Sequence, residues 1–108
     1  MISDFGAYGV YPHGHILEAL GTPALIPGPY DLQNYRARTR AVSTNKCPEG
    51  AYRGVGLVVS TFIHERLMDA LAAETGIDRA DIRRLNFIKA DQMPYTSVTH
   101  QPYDSGDY

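Results

Sequence analysis

The residues best suited to chemistry lie around position 53. Arg53 sits in the run Ala51-Tyr52-Arg53-Gly54-Val55-Gly56, where two glycines stand two apart. Glycines so spaced let a backbone approach a ligand closely, and the run leads towards a helix start, where unpaired N–H groups favour an anion. Arg53 could add a guanidinium for the same anion. On spacing alone, a structural turn is the simpler explanation. The other candidates are weaker. His13-Gly14-His15 puts two imidazoles in one loop. No cysteine or Glu-x-x-His pattern supplies the third ligand a metal needs, so exposed loop histidines are the better reading. Cys47 lies beside Lys46, which could lower its pKa. With no histidine base near it in sequence, it reads as a bystander thiol. Glu65 and Asp69 share a helix face at i, i+4, a spacing that suits solvation better than catalysis.

These residues need a scaffold, and the sequence divides into three stretches. Residues 1–58 read as short strands and loops, 59–88 as a helix pair and 89–108 as an irregular tail. Glycines and prolines punctuate residues 1–34, leaving Asp4–Tyr8 as the tail of a strand and Ile16–Leu20 and Ala24–Ile26 as short elements. Tyr35 to Val42 alternates with period two, which predicts a strand ending near Thr44-Asn45, followed by a turn at Pro48-Glu49-Gly50. Arg36, Arg38 and Arg40 fall on one face of it. Such a row can meet a partner or an anionic cofactor, but is more often the solvated face of an edge strand.

The helix pair has the clearest signals. Ile63, Leu67 and Leu71 recur every four residues, with Ser60 or Thr61 as cap, Gly76 as stop and His64 near the boundary. Asp78 caps the second helix, with Asp81 in its first turn and Ile77 and Ile82 at staple spacing, and the pair should end near Asn86–Ile88. The abrupt start, and a close in which Ser105 and Asp107 resemble caps for a helix still to come, suggest a fragment.

Composition excludes several functions. The chain has 108 residues, 44% hydrophobic and 20% charged, with a formal net charge of −2. That is one folded domain at most, without the basic footprint of a nucleic-acid binder. No apolar run reaches the ~18 residues of a membrane span. A single cysteine allows no internal disulfide and agrees with a reducing, cytoplasmic setting.

From Arg36 onward the chain resembles the molybdenum hydroxylase family, which includes xanthine dehydrogenases and aldehyde oxidases. The resemblance rests on Ala41-Val42 and Thr44-Asn45, on Ala51-Tyr52-Arg53-Gly54-Val55-Gly56, and on the helix Phe62-Ile63-His64-Glu65-Arg66-Leu67-Met68-Asp69. It extends through Gly76-Ile77-Asp78, Arg83-Arg84-Leu85-Asn86-Phe87-Ile88, Met93-Pro94-Tyr95 and the ending Tyr103–Tyr108. It implies an α+β fold, an incomplete piece of the molybdopterin-binding domain of the large subunit.

The resemblance also implies roles. Arg53 matches the arginine contacting the molybdenum–molybdopterin cofactor, with Gly54 beside it. Val55 matches a substrate-lining position that is aromatic in xanthine dehydrogenases; valine cannot stack on a purine, and Gly21 stands near where those enzymes carry a substrate-clamping arginine. Gly54 takes the place of the modified cysteine of carbon monoxide dehydrogenases, and Cys47 lies too far upstream to replace it. Leu57-Val58-Val59 makes the wall apolar, which suits neutral aldehydes or heterocycles. The family's glutamine-glycine loop and the Gly-x-Gly-Glu segment with its base are absent, so the isolated chain should be inactive. Its implied partners are the remainder of the molybdenum subunit and subunits carrying FAD and iron–sulfur clusters. The uncovered apolar face of the helix pair also makes a homo-oligomer plausible. Two readings of another class stand beside this one. One is a non-catalytic interaction or assembly module, or a truncated remnant, derived from the same fold. The other is a small metal-binding protein using His13 and His15.

Overall fold

Proline has no N–H to donate, and prolines stand at 23, 27 and 29. The carbonyls around them must find donors elsewhere. The computed structural model describes residues 1–12 and 16–108, and in it those donors come from every later part of the chain. Helix α1 (Ile16–Leu25) carries Pro23 inside it. The bond that Pro23 cannot give to the Ala19 carbonyl is supplied by the Thr39 hydroxyl at 2.9 Å. The Pro23 carbonyl accepts from Tyr35 Oη at 2.7 Å, and that of Ala24 from Thr99 Oγ1 at 2.7 Å. Ile26 O takes His64 Nδ1 at 3.0 Å, Gly28 O takes Tyr103 Oη at 2.6 Å, and Pro29 O takes the Ile88 amide at 2.9 Å. Leu25 and Pro27 are served locally, by the amides of Gly28 and Tyr30. These replacement donors explain why the two short pieces expected at 16–20 and 24–26 form one continuous helix despite Gly21 and Pro23.

Two short parallel strands lie beside α1. β1 (Ile2–Asp4) pairs with β2 (Arg40–Val42), Ile2 opposite Arg40 and Asp4 opposite Val42. The strand expected over 35–42 is thus only its last three residues. Tyr35 and Thr39 instead dock their hydroxyls on α1, which leaves Arg36, Arg38 and Arg40 exposed. The expected period-two alternation is absent: only Tyr35 and Thr39, four apart, turn inward, and Ala37 and Ala41 are exposed. The strand expected from Asp4 to Tyr8 lies earlier, and Gly6 at φ 68° turns the chain away. Asp4 holds that corner: it takes Lys46 at 2.9 Å, Thr44 Oγ1 at 2.7 Å and the Gly6 amide at 3.0 Å. Lys46, then Thr44 and Gly6, bring its carboxyl down to about 2. Pro48–Gly50 is extended, not a tight turn, because the Glu49 amide bonds Phe5 O at 3.1 Å.

The helix pair is α2 (Leu57–Thr75) and α3 (Arg79–Asn86). Gly76 ends α2 at φ 71° with its N–H on Ala72 O, and Asp78 caps α3 by accepting from the amides of Ala80 and Asp81. Both junctions match the sequence reading. The start of α2 does not: it begins at Leu57, and Ser60 lies inside it, buried, with its hydroxyl on Leu57 O at 3.0 Å.

The buried face of α2 is also different, running Ser60, His64, Met68, Ala72, while Leu67 is 60% and Leu71 43% exposed. Small and polar side chains win that face because the loop 26–30 comes so close. A Cβ on Gly28 would lie 2.6 Å from the His64 ring. His64 is therefore a buried mid-helix residue, not a boundary one. Its Nδ1 faces the Ile26 carbonyl and its Nε2 lies 3.4 Å from a Glu65 carboxylate oxygen.

Glu65 and Asp69 prove structural, not solvating. Arg83 of α3 gives Nε to Glu65 at 2.7 Å and a terminal nitrogen to Asp69 at 3.0 Å, and Tyr30 Oη donates to Glu65 at 2.7 Å. Burial alone would raise the Glu65 carboxyl, but the bonds from Tyr30 and Arg83 outweigh it and hold it below the ordinary range. The buried Tyr30 ring stacks on Phe87 at 5.2 Å and meets the His64 edge at 5.6 Å. After α3, a 3-10 turn (Ala90–Gln92) leads to the antiparallel pair β3 (Tyr95–Thr96) and β4 (Pro102–Tyr103). Tyr95 Oη ties this tail to Asp31 at 2.8 Å; burial, then that bond, raises the phenol to about 12.

The fold leaves much apolar surface uncovered. Its accessible area is 7608 Å², against roughly 5,900 Å² for a compact chain of this mass. The radius of gyration is 16.0 Å, against about 13 Å for a domain of about this length. Phe62 and Leu85 are 68% and 67% exposed. Among the described residues, no helix is long and apolar enough to cross a membrane. His13 and His15 lie outside the described residues, among which no group of three or more His, Cys, Asp or Glu is placed to hold a metal.

Tyr30→Phe would keep the stacked ring but remove the hydroxyl from Glu65. We expect it to lower unfolding free energy by about 1–2 kcal/mol in a urea titration. An unchanged midpoint would show that this bond does not support the fold.

Candidate functional site

The loop from Gly50 to Gly56 is pinned at both ends and open between them. At one end a Cβ on Gly50 would lie 2.7 Å from Val10. At the other, Gly56 has φ 71°, and a Cβ there would lie 2.9 Å from the Thr22 backbone nitrogen in α1. Between these contacts Tyr52 is 98% exposed, and Arg53 is exposed with its guanidinium free of any hydrogen bond or ion pair to the described residues. Gly54, at φ 70°, returns the chain towards α2, and its carbonyl accepts the Leu57 amide at 2.9 Å. Val55 is half-buried behind it.

The two glycines, alike in sequence, have different jobs. Gly56 is glycine because α1 occupies the space a side chain would need. Gly54 needs its left-handed backbone, but a Cβ there would meet only Val58, at 3.8 Å. That side is open to a ligand. Two further features point the same way. α2 starts without a side-chain cap or an acidic residue in its first turn, so its positive end is not neutralised locally. Thr22 Oγ1, in the α1 turn against Gly56, is buried with no hydrogen-bond partner among the described residues. The local charge is therefore an unpaired guanidinium beside an uncapped helix start. Those residues suit an anionic group.

Cavities flank the loop without including its centre. One of about 300 Å³ is lined by β1, Glu18, Thr22, Glu49 and Gly50. Another of about 420 Å³ lies along the first turns of α2, between Leu57, Thr61, Tyr103 and Tyr108. Arg53, Gly54 and Val55 line neither, so the loop is an open wall and not an enclosed pocket. Cys47 is exposed, and Glu65 and Asp69 are engaged by Arg83, well away from the loop. Sequence reasoning missed Thr22 and the uncapped helix start. The second was detectable, since no Ser, Thr, Asp or Asn stands between Gly50 and Val59. Thr22 lies 34 positions from Gly56 in sequence, and nothing local marks it.

Comparison with known proteins identifies the family. Residues 1–87 match the family model described as the molybdopterin cofactor-binding domain. The chain is 43% identical over 91 residues to the gamma subunit of the 6-hydroxypseudooxynicotine dehydrogenase complex of Paenarthrobacter nicotinovorans, covering 80% of this chain and 12% of that protein. It is 36% identical to the carbon monoxide dehydrogenase large chain of Hydrogenophaga pseudoflava over 110 residues, covering 100% of this chain and 14% of that one. The crystal structure of quinoline 2-oxidoreductase from Pseudomonas putida 86 superposes with a TM-score of 0.90 at 36% identity, covering 99% of this chain and 14% of that one. The chain thus spans about one seventh of the length of these relatives.

The glycine pair can be separated by substitution. Gly56→Ala should cost about 3 kcal/mol or more, from backbone overlap added to the left-handed strain, and Gly54→Ala about 1 kcal/mol from strain alone. Urea titration of both checks this; equal losses would contradict the assignment of Gly54 to the open side.

Proposed function

We propose that this chain, which belongs to the molybdopterin cofactor-binding domain family, forms one wall of the cofactor site in a molybdenum-dependent oxidoreductase. The observation that carries this is the Arg53–Gly54 wall: a guanidinium without a partner among the described residues, a bare glycine backbone and a helix start without a side-chain cap, close in sequence. Arg53 would hold the molybdenum–molybdopterin group through a charge-assisted bond, and Gly54 would let its backbone come close. When bound, that group supplies the metal that takes up the substrate's electrons.

The remaining residues shape what can react there. Val55 would line the substrate side, continued by Leu57 and Val58, which are 53% and 74% exposed. Val55, Leu57 and Val58 carry neither ring nor charge, and a valine at 55 cannot stack on a purine, which favours a neutral aldehyde or heterocycle. Gly54 has no sulfur to offer, which argues against carbon monoxide as substrate. Hydroxylation needs a carboxylate base, and Glu65 is already held by Tyr30 and Arg83. The resemblance to the family implies that the base lies on a Gly-x-Gly-Glu segment absent from these 108 residues, so the chain alone should not turn over. FAD and iron–sulfur clusters would sit on partner subunits, in the cytoplasm; names such as "subunit gamma" and "large chain" among the relatives support a multi-subunit assembly.

A graft tests this reading. The chain replaces the matching segment of the quinoline 2-oxidoreductase subunit, and molybdenum content is measured by elemental analysis. The graft should retain molybdenum, and Arg53→Ala should reduce it at least about tenfold. A folded graft without molybdenum would favour the other reading, a non-catalytic assembly module built on the same fold.

A further inference from the structure

The arginine row is a sequence feature that the cofactor wall does not use. Tyr35 and Thr39 turn to α1, where their hydroxyls are anchored. Arg36 and Arg38 therefore point away from it, exposed, and neither guanidinium bonds any described residue. They stand two residues apart on the stretch that leads into β2. Between this segment and α2 runs a groove of about 460 Å³. Ile26, Ile63 and Leu67 line it together with the two arginines. Leu67 belongs to the stripe that reads as core in the sequence yet remains 60% exposed.

An apolar groove beside two unpaired cations selects its occupant. Water or a free anion would leave the apolar side uncovered, and a purely apolar segment would leave the guanidinium groups unpaired. The surface excess over a compact chain indicates that the missing cover is large. The chain also matches only 14% of the quinoline oxidoreductase polypeptide that shares its fold. We propose that this groove is the docking site for another segment of the same molybdenum subunit, an apolar stretch carrying carboxylates that meet Arg36 and Arg38. The proposal rests on the reading of the chain as part of such a subunit. It assigns to the arginine row the assembly of the subunit and no contact with the cofactor.

The test supplies the two parts separately. The tagged 108-residue chain is co-expressed with the quinoline 2-oxidoreductase subunit lacking its matching segment, and the captured amount is measured. Wild-type chain should capture it, less so as salt rises. The double variant R36E/R38E and the single variant Leu67→Asp should each reduce capture at least about tenfold. Circular dichroism should show their helices intact, since all three positions are exposed. Asp91→Lys, outside the groove, should leave capture unchanged.

Three results overturn the proposal: no capture by the wild-type chain, capture indifferent to both groove variants, or self-association in sedimentation that those variants abolish. The last would show a second copy in the groove. Each of these leaves the cofactor reading to be judged separately, by molybdenum in the graft and its Arg53 variant.

Discussion

The fold depends on a run of carbonyls that cannot be satisfied by their own neighbourhood. From Pro23 to Pro29 the prolines remove donors just where α1 ends and the chain turns, so helix and turn bonds cover only part of the need. Each remaining carbonyl takes a donor from a different later element: Tyr35 before β2, His64 in α2, Ile88 after α3, and Thr99 and Tyr103 in the tail. An unpaired buried carbonyl costs on the order of 1–3 kcal/mol. The run therefore works as a hub, and distant segments are drawn to it although few of them share a large apolar contact. With so small a core, directional bonds carry an unusual share of the organisation.

The candidate site follows from that hub. Holding α1 in place fixes Thr22, and Thr22 fixes Gly56 through backbone contact. His64 and the Tyr30–Glu65–Arg83 cluster fix the axis of α2 from the other side. The loop is thus fastened at the point where α2 begins, while Arg53 and Gly54 stand clear of the frame. Rigid support beneath an unpartnered cation is what an anion site requires, because the cost of ordering the wall is met before any ligand arrives.

Local chemistry made some of this legible in the sequence, and long-range chemistry hid the rest. Gly76 and Asp78 were readable because caps act within a few residues. The Arg53 loop was readable as a motif, though not as an open wall. The face of α2 was misread because hydrophobic periodicity assumes that leucines go inward. Here the hub needs an imidazole at 64, and the close loop 26–30 packs on that face, which turns Leu67 and Leu71 outward. Glu65 and Asp69 were taken for solvating charges because their partner, Arg83, stands on another helix. The arginines are exposed as read, but the period-two strand is not there, since Ala37 is exposed too. What places the segment is the pair of hydroxyls at 35 and 39, which reach α1 carbonyls 12 and 20 residues away.

The most direct measurement is a crystal structure of the molybdenum-loaded large subunit carrying this chain. A nitrogen of Arg53 or the Gly54 amide should lie within about 3.2 Å of an oxygen or sulfur of the cofactor, with Gly56 still seated on Thr22. A cofactor bound elsewhere, with Arg53 paired to a protein carboxylate or left in solvent, would contradict the assignment of this loop to the site.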